Sequence, residues 1–154
     1  MLLSVVLPTY NEAGNIARMV AAVRDAMAGL EHEVLVIDDN SKDGTAALAR
    51  KAGARVIVRT EERGLGTAVV RGIAEAKGTY VAVMDADFQH PPATVRTMVE
   101  RAVARDADLV VGSRYVEDGT EGDFTLGRKL ISRGAAKLAR LALTPVRRFH
   151  LTDP

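Results

Sequence analysis

Two aspartates, Asp85 and Asp87, follow an apolar run at residues 80–84 (YVAVM). Residues i and i+2 of a strand point to the same side, about 6.6 Å apart at about 3.3 Å per residue, so we expect both carboxylates to face one way. Two like charges this close are unfavourable unless a cation or a donor lies between them. Mg²⁺ and Mn²⁺ prefer such oxygen ligands, and Gln89 can add an amide oxygen. The spacing predicts a metal site at Asp85, Asp87 and Gln89; two solvated or helix-capping aspartates are the alternative.

Other polar groups also follow apolar runs. Asp38 and Asp39 come directly after the run VLVI, and acids at a strand end often accept hydrogen bonds from a ribose or a base. Capping of the next helix is the alternative. We assign Asp39 to ligand binding and Asp43 to local structure. Arg114 comes shortly after the run LVV, where a guanidinium can bind a phosphate through two parallel hydrogen bonds.

Strand-like and helix-like patterns alternate along the chain and must position these residues. Strands that are apolar on both faces and alternate with helices predict an α/β fold with a mostly parallel sheet covered on both sides. In such sheets ligands bind at the carboxyl ends of the strands, where the polar groups lie. The predicted strands are residues 2–7, 34–37, 56–58, 80–84 and 109–111. The predicted helices are residues 12–28 (capped by Asn11), a helix capped by Ser41 and Asp43 that ends near residue 52, residues 66–77 and residues 91–105.

The composition is that of a soluble globular domain. The chain has 154 residues, 47% hydrophobic and 27% charged, which suffices for a core and argues against disorder. It has no cysteine, which excludes disulfides and thiolate metal sites. No apolar run approaches the roughly 18–20 residues that span a bilayer, and the first residues lack a signal-peptide pattern. We therefore expect a cytoplasmic or peripheral protein.

Charge is distributed unevenly along the chain. Residues 126–148 hold seven of the 21 basic residues and no acid, so the remainder has 14 basic against 20 acidic residues. Residues 126–143 also have the pattern of an amphipathic helix. A basic amphipathic helix can lie on a membrane surface or fold back onto its domain, and a basic segment suits an anionic partner. A merely solvated basic helix face is the alternative.

Other catalytic patterns are weak or missing. No Ser/His/Asp or Cys/His arrangement is apparent, which argues against nucleophilic acyl chemistry. The glycines of residues 64–66 fail as a dinucleotide-binding fingerprint because Val69 stands at the third glycine position. His32 and His150 have no partners at metal-ligand spacing, and the role of His90, beside the acidic pair, stays open.

Taken together, the polar groups resemble the motifs of glycosyltransferase family 2, in the family's order and over almost the whole chain. The segments DADFQHPP, GSRY and LISRGA are most similar to the dolichyl-phosphate mannosyltransferase branch. The matching segments are PTYNE (8–12), VIDDNSKDGT (36–45), RGLGTA (63–68), DADFQHPP (85–92) and VVGSRY (110–115).

The resemblance implies a GT-A fold, which is a three-layer α/β/α nucleotide-diphospho-sugar transferase fold. It implies transfer of a sugar, mannose from GDP-mannose in the nearest branch, to a polyprenyl (dolichyl) phosphate. The implied cofactor is Mg²⁺ or Mn²⁺. The implied partners are the nucleotide-sugar donor, the polyprenyl-phosphate acceptor and the inner face of the membrane, with no nucleic acid.

The resemblance also implies roles for individual residues. The residues implied to bind the nucleotide sugar are Pro8, Tyr10, Glu12, Asp39, Asp85, Ala86 and Arg114. The implied metal ligands are Asp85, Asp87 and Gln89. The implied contacts of the acceptor phosphate are Arg114, Arg128, Ser132 and Arg133. The catalytic set is Asp85, Asp87 and Arg114.

The implied acceptor simplifies the chemistry. A phosphate monoester has a second pKa of about 6, so it is largely ionised at neutral pH and needs no general base. In-line attack then inverts the anomeric centre. The alternatives are a UDP-glucose or UDP-N-acetylhexosamine donor, a saccharide hydroxyl as acceptor, or a nucleotide-sugar-binding module without catalysis.

We expect a catalytic domain at residues 1–123 and a basic helix with the start of the acceptor region at residues 124–154. The chain ends at LTDP, where the resemblance predicts that sequence continues. It is therefore expected to be part of a longer protein.

Overall fold

A computed structural model describes residues 2–112 of the chain. Strands and helices alternate strictly through this part, as the apolar runs predict. The elements are β1 (Leu2–Thr9), α1 (Ile16–Ala26), β2 (Glu31–Asp38), α2 (Thr45–Lys51), β3 (Arg55–Val58), α3 (Leu65–Glu75), β4 (Tyr80–Val83) and α4 (Pro92–Arg105).

The four strands form one parallel sheet in the order β3-β2-β1-β4. β1 is central and pairs on both sides, with Val5 opposite Val34 of β2 and opposite Ala82 of β4. Seven of its eight residues are buried, as expected for a strand covered on both faces. The carboxyl ends of β2, β1 and β4 therefore lie side by side at one edge of the sheet.

Helices cover both faces of this sheet. On one face α1, α2 and α4 enclose the larger core, which includes Leu3, Leu7 and Met19. Each such side chain contributes about 1.5–3 kcal/mol by leaving water. On the other face α3 packs on β1 and β2 through Ala68 and Gly72. A Cβ at Gly72 would lie 2.3 Å from Val6 Cγ1, so glycine lets this helix approach the sheet closely. The predicted α/β fold is confirmed.

The predicted strand at residues 109–111 is wrong. These residues form no strand, and Leu109 and Val111 are 79% and 75% exposed. An apolar β-branched run becomes a strand only where a neighbouring strand offers hydrogen bonds and burial. Within residues 2–112, β4 pairs with β1 alone, so the run has no such neighbour.

The predicted start of the first helix is also wrong. α1 begins at Ile16, four residues after the predicted position, and Asn11 does not cap it. Glu12 O instead accepts hydrogen bonds from the N–H groups of Asn15 (3.0 Å) and Ile16 (2.9 Å), which closes a turn. Asn11 has φ +57° and its side chain accepts a hydrogen bond from Lys42 N–H at 3.2 Å. The asparagine therefore joins two loops rather than starting a helix.

A closed polar network lies near the amino ends of the strands, around the fully buried Ser4. Its hydroxyl donates to Glu33 Oε1 (2.6 Å) and accepts from the N–H groups of Lys77 (3.1 Å) and Gly78 (2.8 Å). Arg55 Nε donates to Glu33 Oε2 at 3.0 Å. Burial acts to raise the pKa of Glu33, but the hydrogen bonds from Arg55, Ser4 and Lys77 N–H outweigh it and hold that pKa below its ordinary value. The network fixes the start of β4 beside β1.

Candidate functional site

The turn after β2 is built around Asp38, which is fully buried. Its Oδ1 accepts hydrogen bonds from Thr9 Oγ1 (3.1 Å) and Ser41 Oγ (2.6 Å), and its Oδ2 accepts one from Ser41 N–H (2.9 Å). All these partners belong to the protein itself. Asp38 therefore ties the carboxyl end of β1 to the turn that presents Asp39.

The loops after β1 and β2 are joined by further hydrogen bonds. Asp43 Oδ1 accepts from Thr45 Oγ1 (2.6 Å), Asp43 Oδ2 accepts from Ala13 N–H (2.9 Å), and Thr45 Oγ1 accepts from Glu12 N–H (2.9 Å). The Thr45 hydroxyl, followed by Ala13 N–H, lowers the pKa of Asp43 below its ordinary value. The assignment of Asp43 to local structure is confirmed.

Asp39 follows β2 and is also nearly buried, at 7% exposure. It forms an ion pair with Arg59, whose Nε donates to Asp39 Oδ1 at 2.7 Å and whose Nη2 donates to the same oxygen. Gly64 N–H donates to Asp39 Oδ2 at 2.7 Å. The carboxylate is therefore fixed in one orientation at the edge of the sheet.

Tyr10 comes directly after β1 and is 54% exposed. The residue before it, Thr9, accepts a hydrogen bond at its carbonyl from Asp39 N–H at 2.9 Å. The Arg63 guanidinium carbon lies 5.8 Å from the centroid of its ring, in cation–π contact. Of the other residues predicted to bind the nucleoside, Pro8 is buried within β1, and Glu12 is half-buried and accepts a hydrogen bond from Asn15 Nδ2 at 3.1 Å. An exposed aromatic ring after β1 can provide a stacking surface for a planar base.

The acidic segment follows β4, which ends at Val83. Met84 and Ala86 are buried in the core, whereas Asp85 is exposed and Asp87 is half-buried. Because Met84 and Ala86 enter the core, the alternating Asp85 and Asp87 project away from it. The sequence predicted that the two aspartates face one way because of strand periodicity, but both lie beyond the end of β4. Asp85 has no hydrogen-bond or ion-pair partner within residues 2–112.

Phe88 and Gln89 complete this segment. Phe88 packs against the core, has φ +62° and lies under Arg18, whose guanidinium carbon is 5.0 Å from the ring centroid. Gln89 is exposed, and its N–H donates to Asp87 Oδ1 at 3.0 Å. The left-handed backbone at Phe88 is uncommon for a bulky residue and shapes the turn between the two predicted ligands.

The donor set suits a hard divalent cation. Two carboxylates and an amide oxygen leave positions for water or phosphate, which is how Mg²⁺ is commonly bound. Across the described part of the chain, no three His, Cys, Asp or Glu side chains are grouped to hold a metal. A cation held by Asp85 and Asp87 would therefore need further ligands, such as water or a substrate phosphate, to complete its coordination.

Comparison with known proteins shows the family of the chain. Residues 4–151 match the sequence model of a family described as glycosyl transferase family 2. The chain belongs to this family. It is 42% identical over 158 residues to the dolichol-phosphate mannosyltransferase of Pyrococcus furiosus, covering 100% of the chain and 44% of that protein. It is 42% identical over 147 residues to the dolichol-phosphate mannosyltransferase of Saccharomyces cerevisiae, covering 89% of the chain and 54% of that protein.

Solved structures extend the likeness to the fold. A crystal structure of glucosyl-3-phosphoglycerate synthase from Mycobacterium tuberculosis, in complex with Mn²⁺, UDP and glucosyl-3-phosphoglycerate, matches with a TM-score of 0.65 and 27% identity. The match covers 94% of this chain and 52% of that one. The predicted GT-A type of α/β fold is confirmed. The chain spans about half the length of the curated relatives it matches.

In this family 2 domain, the described residues of the predicted site gather after three adjacent strands. They are Pro8, Tyr10 and Glu12 in and after β1, Asp39 after β2, and Asp85, Ala86, Asp87 and Gln89 after β4. The predicted Arg114, Arg128, Ser132 and Arg133 lie outside the described residues, as does the predicted domain boundary near residue 123. In the described part of the family 2 domain, no helix is both long and apolar enough to cross a membrane.

Sequence reasoning missed Arg59. It comes directly after β3, the strand next to β2, yet this strand end had not been recognised as a polar cluster. The available signal was an arginine at the carboxyl end of an apolar run (RVIVR), one strand away from two acids. A buried arginine needs an anionic partner, and Asp39 is that partner.

Proposed function

We propose that this chain is the catalytic part of an enzyme that transfers a sugar from a nucleoside-diphosphate sugar to a polyprenyl phosphate. The proposed sugar is mannose, its proposed donor is GDP-mannose, and the proposed acceptor is dolichyl phosphate. One observation carries the proposal: the exposed Asp85 and half-buried Asp87 follow β4 at the same carboxyl edge of the parallel sheet as the fixed Asp39 after β2, with the end of β1 between them. Open α/β sheets bind nucleotides at this edge.

The donor is proposed to lie across the ends of β2, β1 and β4. The nucleoside is held at the β1–β2 side, where Asp39 accepts a hydrogen bond and Tyr10 offers its exposed ring. Pro8 and Glu12, in and after β1, are proposed to contact the nucleoside as well. The sugar and diphosphate extend toward β4, where Asp85 and Ala86 lie, and Arg114 is proposed to contact the donor from the following segment.

Asp85, Asp87 and Gln89 are proposed to hold Mg²⁺ or Mn²⁺. When the sugar–diphosphate bond breaks, negative charge grows on the leaving group, and a divalent ion bound here neutralises it. Gln89 N–H holds one Asp87 oxygen, so the carboxylate is oriented before the ion binds. The similar synthase structure contains Mn²⁺ and UDP, which supports a divalent ion in a site of this type.

The acceptor phosphate is proposed to be bound by Arg114, Arg128, Ser132 and Arg133. Because a phosphate monoester is already ionised at neutral pH, the site needs no general base. The basic segment at residues 126–148 is proposed to bring the protein to the cytoplasmic face of a membrane, where the lipid lies.

A second donor class is supported by one comparison. The similar glucosyl-3-phosphoglycerate synthase structure contains UDP, and the match extends over nearly the whole chain. A UDP-sugar donor is therefore the second candidate, with the same metal site and the same acceptor region.

A transfer assay tests the proposal. The full chain is incubated with GDP-[¹⁴C]mannose or UDP-[¹⁴C]glucose, polyprenyl phosphate in detergent, and Mg²⁺ or Mn²⁺. We expect labelled lipid from GDP-mannose only when metal and polyprenyl phosphate are both present. Labelled lipid from UDP-glucose alone would move the function to the second candidate. Donor binding without transfer, including with a longer natural chain, would reduce it to a binding module.

A further inference from the structure

Arg59 has an unusual position for an arginine at the end of a strand. Only 8% of its surface is exposed, although it lies next to a loop whose residues 60–64 are all exposed. Its guanidinium donates to Asp39 Oδ1, to Thr67 Oγ1 (Nη1, 2.8 Å) and to Gly64 O (Nη2, 3.0 Å). Within residues 2–112, no buried side-chain polar atom lacks a partner. Each nitrogen of the Arg59 side chain therefore has a hydrogen-bond partner within the protein.

These contacts determine what Asp39 can still bind. An ionised carboxylate offers about four acceptor positions. Arg59 occupies two on Oδ1 and Gly64 N–H occupies one on Oδ2. One position on Oδ2 is left, enough for a single donor. A ring N–H or a ribose O–H of a nucleoside is such a donor.

The same contacts also shape the loop above Tyr10. Gly64 has φ +122°, a conformation that side chains rarely allow, and both its N–H and its carbonyl are held by the Asp39–Arg59 pair. Arg63, the residue before it, lies over the Tyr10 ring. Arg59 thus fixes the carboxylate on one side of the nucleoside region and the loop on the other.

We infer that Arg59 is a positioning residue of the nucleoside site. It does not touch the nucleotide; it holds Asp39 with one acceptor position directed to a single nucleoside donor. This inference rests on the proposed function, because it concerns how the proposed donor is bound.

The test compares two arginines in the full chain. Arg59→Lys keeps the charge but cannot form the same set of hydrogen bonds. Arg55→Lys is the matched control, since Arg55 also forms an ion pair with an acid of β2, Glu33, but at the amino end of the sheet. Dissociation constants for GDP and UDP are measured by titration calorimetry with Mn²⁺, and the melting temperature is recorded for each variant.

We expect Arg59→Lys to weaken nucleotide binding about tenfold, the loss of one charge-assisted hydrogen bond. Arg55→Lys should lower the melting temperature and leave the dissociation constant unchanged. In an Asp39→Asn background, Arg59→Lys should have little further effect on binding, because its action passes through Asp39. Thr67→Val, a milder change that removes one acceptor of Arg59, should weaken binding about threefold and is informative if Arg59→Lys fails to fold.

Three results would overturn the inference. In the first, Arg59→Lys and Thr67→Val both bind nucleotide like the wild type, which marks a purely structural arginine. In the second, the Arg59→Lys effect persists in full with Asp39→Asn, which marks a direct ligand contact. In the third, the wild type binds neither GDP nor UDP, and the proposed function fails as well. Only this third result removes the proposed function.

Discussion

Two polar networks lie at opposite ends of the same four-stranded sheet, and they differ in whether they are closed. At the amino ends, the oxygens of Ser4 and Glu33 accept hydrogen bonds from backbone N–H groups, and Glu33 also accepts from Ser4 and Arg55. At the carboxyl ends, Asp85 has no partner among residues 2–112, and Asp39 keeps one acceptor position open. Both ends contain a carboxylate paired with an arginine.

The difference shows that an acid–arginine pair does not by itself mark a functional site. At the amino ends the pair completes a network that holds β1, β2 and the start of β4 together. At the carboxyl ends a similar pair fixes one carboxylate, while neighbouring acids remain available. The open acceptor positions at the carboxyl ends are available to a ligand, whereas those at the amino ends are already used by the protein.

The largest expected effect is on catalysis at the open end. Asp87→Asn removes a charge from the proposed metal site but keeps the shape and the oxygen that Gln89 N–H contacts. We expect transfer activity to fall by at least about a hundredfold, because charge neutralisation of the leaving group is lost. The free energy of unfolding should change by less than about 0.5 kcal/mol.

Asp25→Asn is the control for this variant. Asp25 is an exposed acid in α1, at the other end of the domain, and its substitution should leave activity unchanged. Full activity of Asp87→Asn at saturating donor and limiting metal would refute the metal assignment.

The next effect is a loss of stability at the closed end. A Cβ at Gly78 would lie 2.5 Å from Ser4 N, 2.7 Å from Tyr80 O and 2.8 Å from Leu2 O, all backbone atoms that cannot easily move. Gly78→Ala should lower the free energy of unfolding by about 3 kcal/mol, measured by urea denaturation. Gly14→Ala, where no atom lies within 4 Å, is the control and should cost far less. Equal costs for the two variants would contradict the close packing at Gly78.

Ser4→Ala should have a smaller effect of the same kind. The buried hydroxyl donates to Glu33 and accepts from the N–H groups of Lys77 and Gly78. Its removal takes one donor from Glu33 and the side-chain acceptor from Gly78 N–H, whereas Lys77 N–H still donates to Glu33 Oε1. We expect a loss of about 1–3 kcal/mol in the free energy of unfolding. The nucleotide dissociation constant should stay at the wild-type value. A variant that loses affinity but not stability would show that the two ends are not independent.

The smallest predicted effect depends on pH. The pKa of Glu33 is lower in the folded protein than its ordinary value of 4.5, so the unfolded chain takes up a proton first as the pH falls. The stability from the ionised Glu33 is therefore present above about pH 4.5 and is lost as the pH falls through the lower folded pKa. Glu33→Gln should be less stable than wild type at pH 6, and the gap should narrow toward pH 3. A gap that widens on acidification would reverse the sign.

The sequence predicted the parts of the molecule that follow from local pattern. The apolar runs at β1, β2 and β4 predicted strands of the sheet. The rule that ligands bind at the carboxyl ends of parallel strands predicted that Asp39 and Asp85 lie at the same edge. The pattern failed at residues 109–111, because whether an apolar run becomes a strand depends on a neighbour that the pattern does not contain. It failed at Asn11 for a related reason, since that side chain bonds to a loop thirty-one residues away.

Arg59 was missed because its importance arises only in three dimensions. Its partner Asp39 follows β2, whereas Gly64 precedes α3 and Thr67 lies in the first turn of that helix. Local spacing could predict an acid at the end of β2, but not the arginine from the neighbouring strand that orients it. Gln89 shows a similar limit: its proximity to Asp87 was predictable, whereas the hydrogen bond from its backbone N–H depends on the left-handed turn at Phe88.

The most direct test of the central claim is the affinity of the wild-type chain for GDP-mannose, titrated with and without Mn²⁺. If the open end of the sheet is a metal-dependent nucleotide-sugar site, Mn²⁺ should tighten binding at least about tenfold, and Asp87→Asn should abolish that gain. Equal affinity with and without the metal, or a gain that Asp87→Asn retains, would contradict the account.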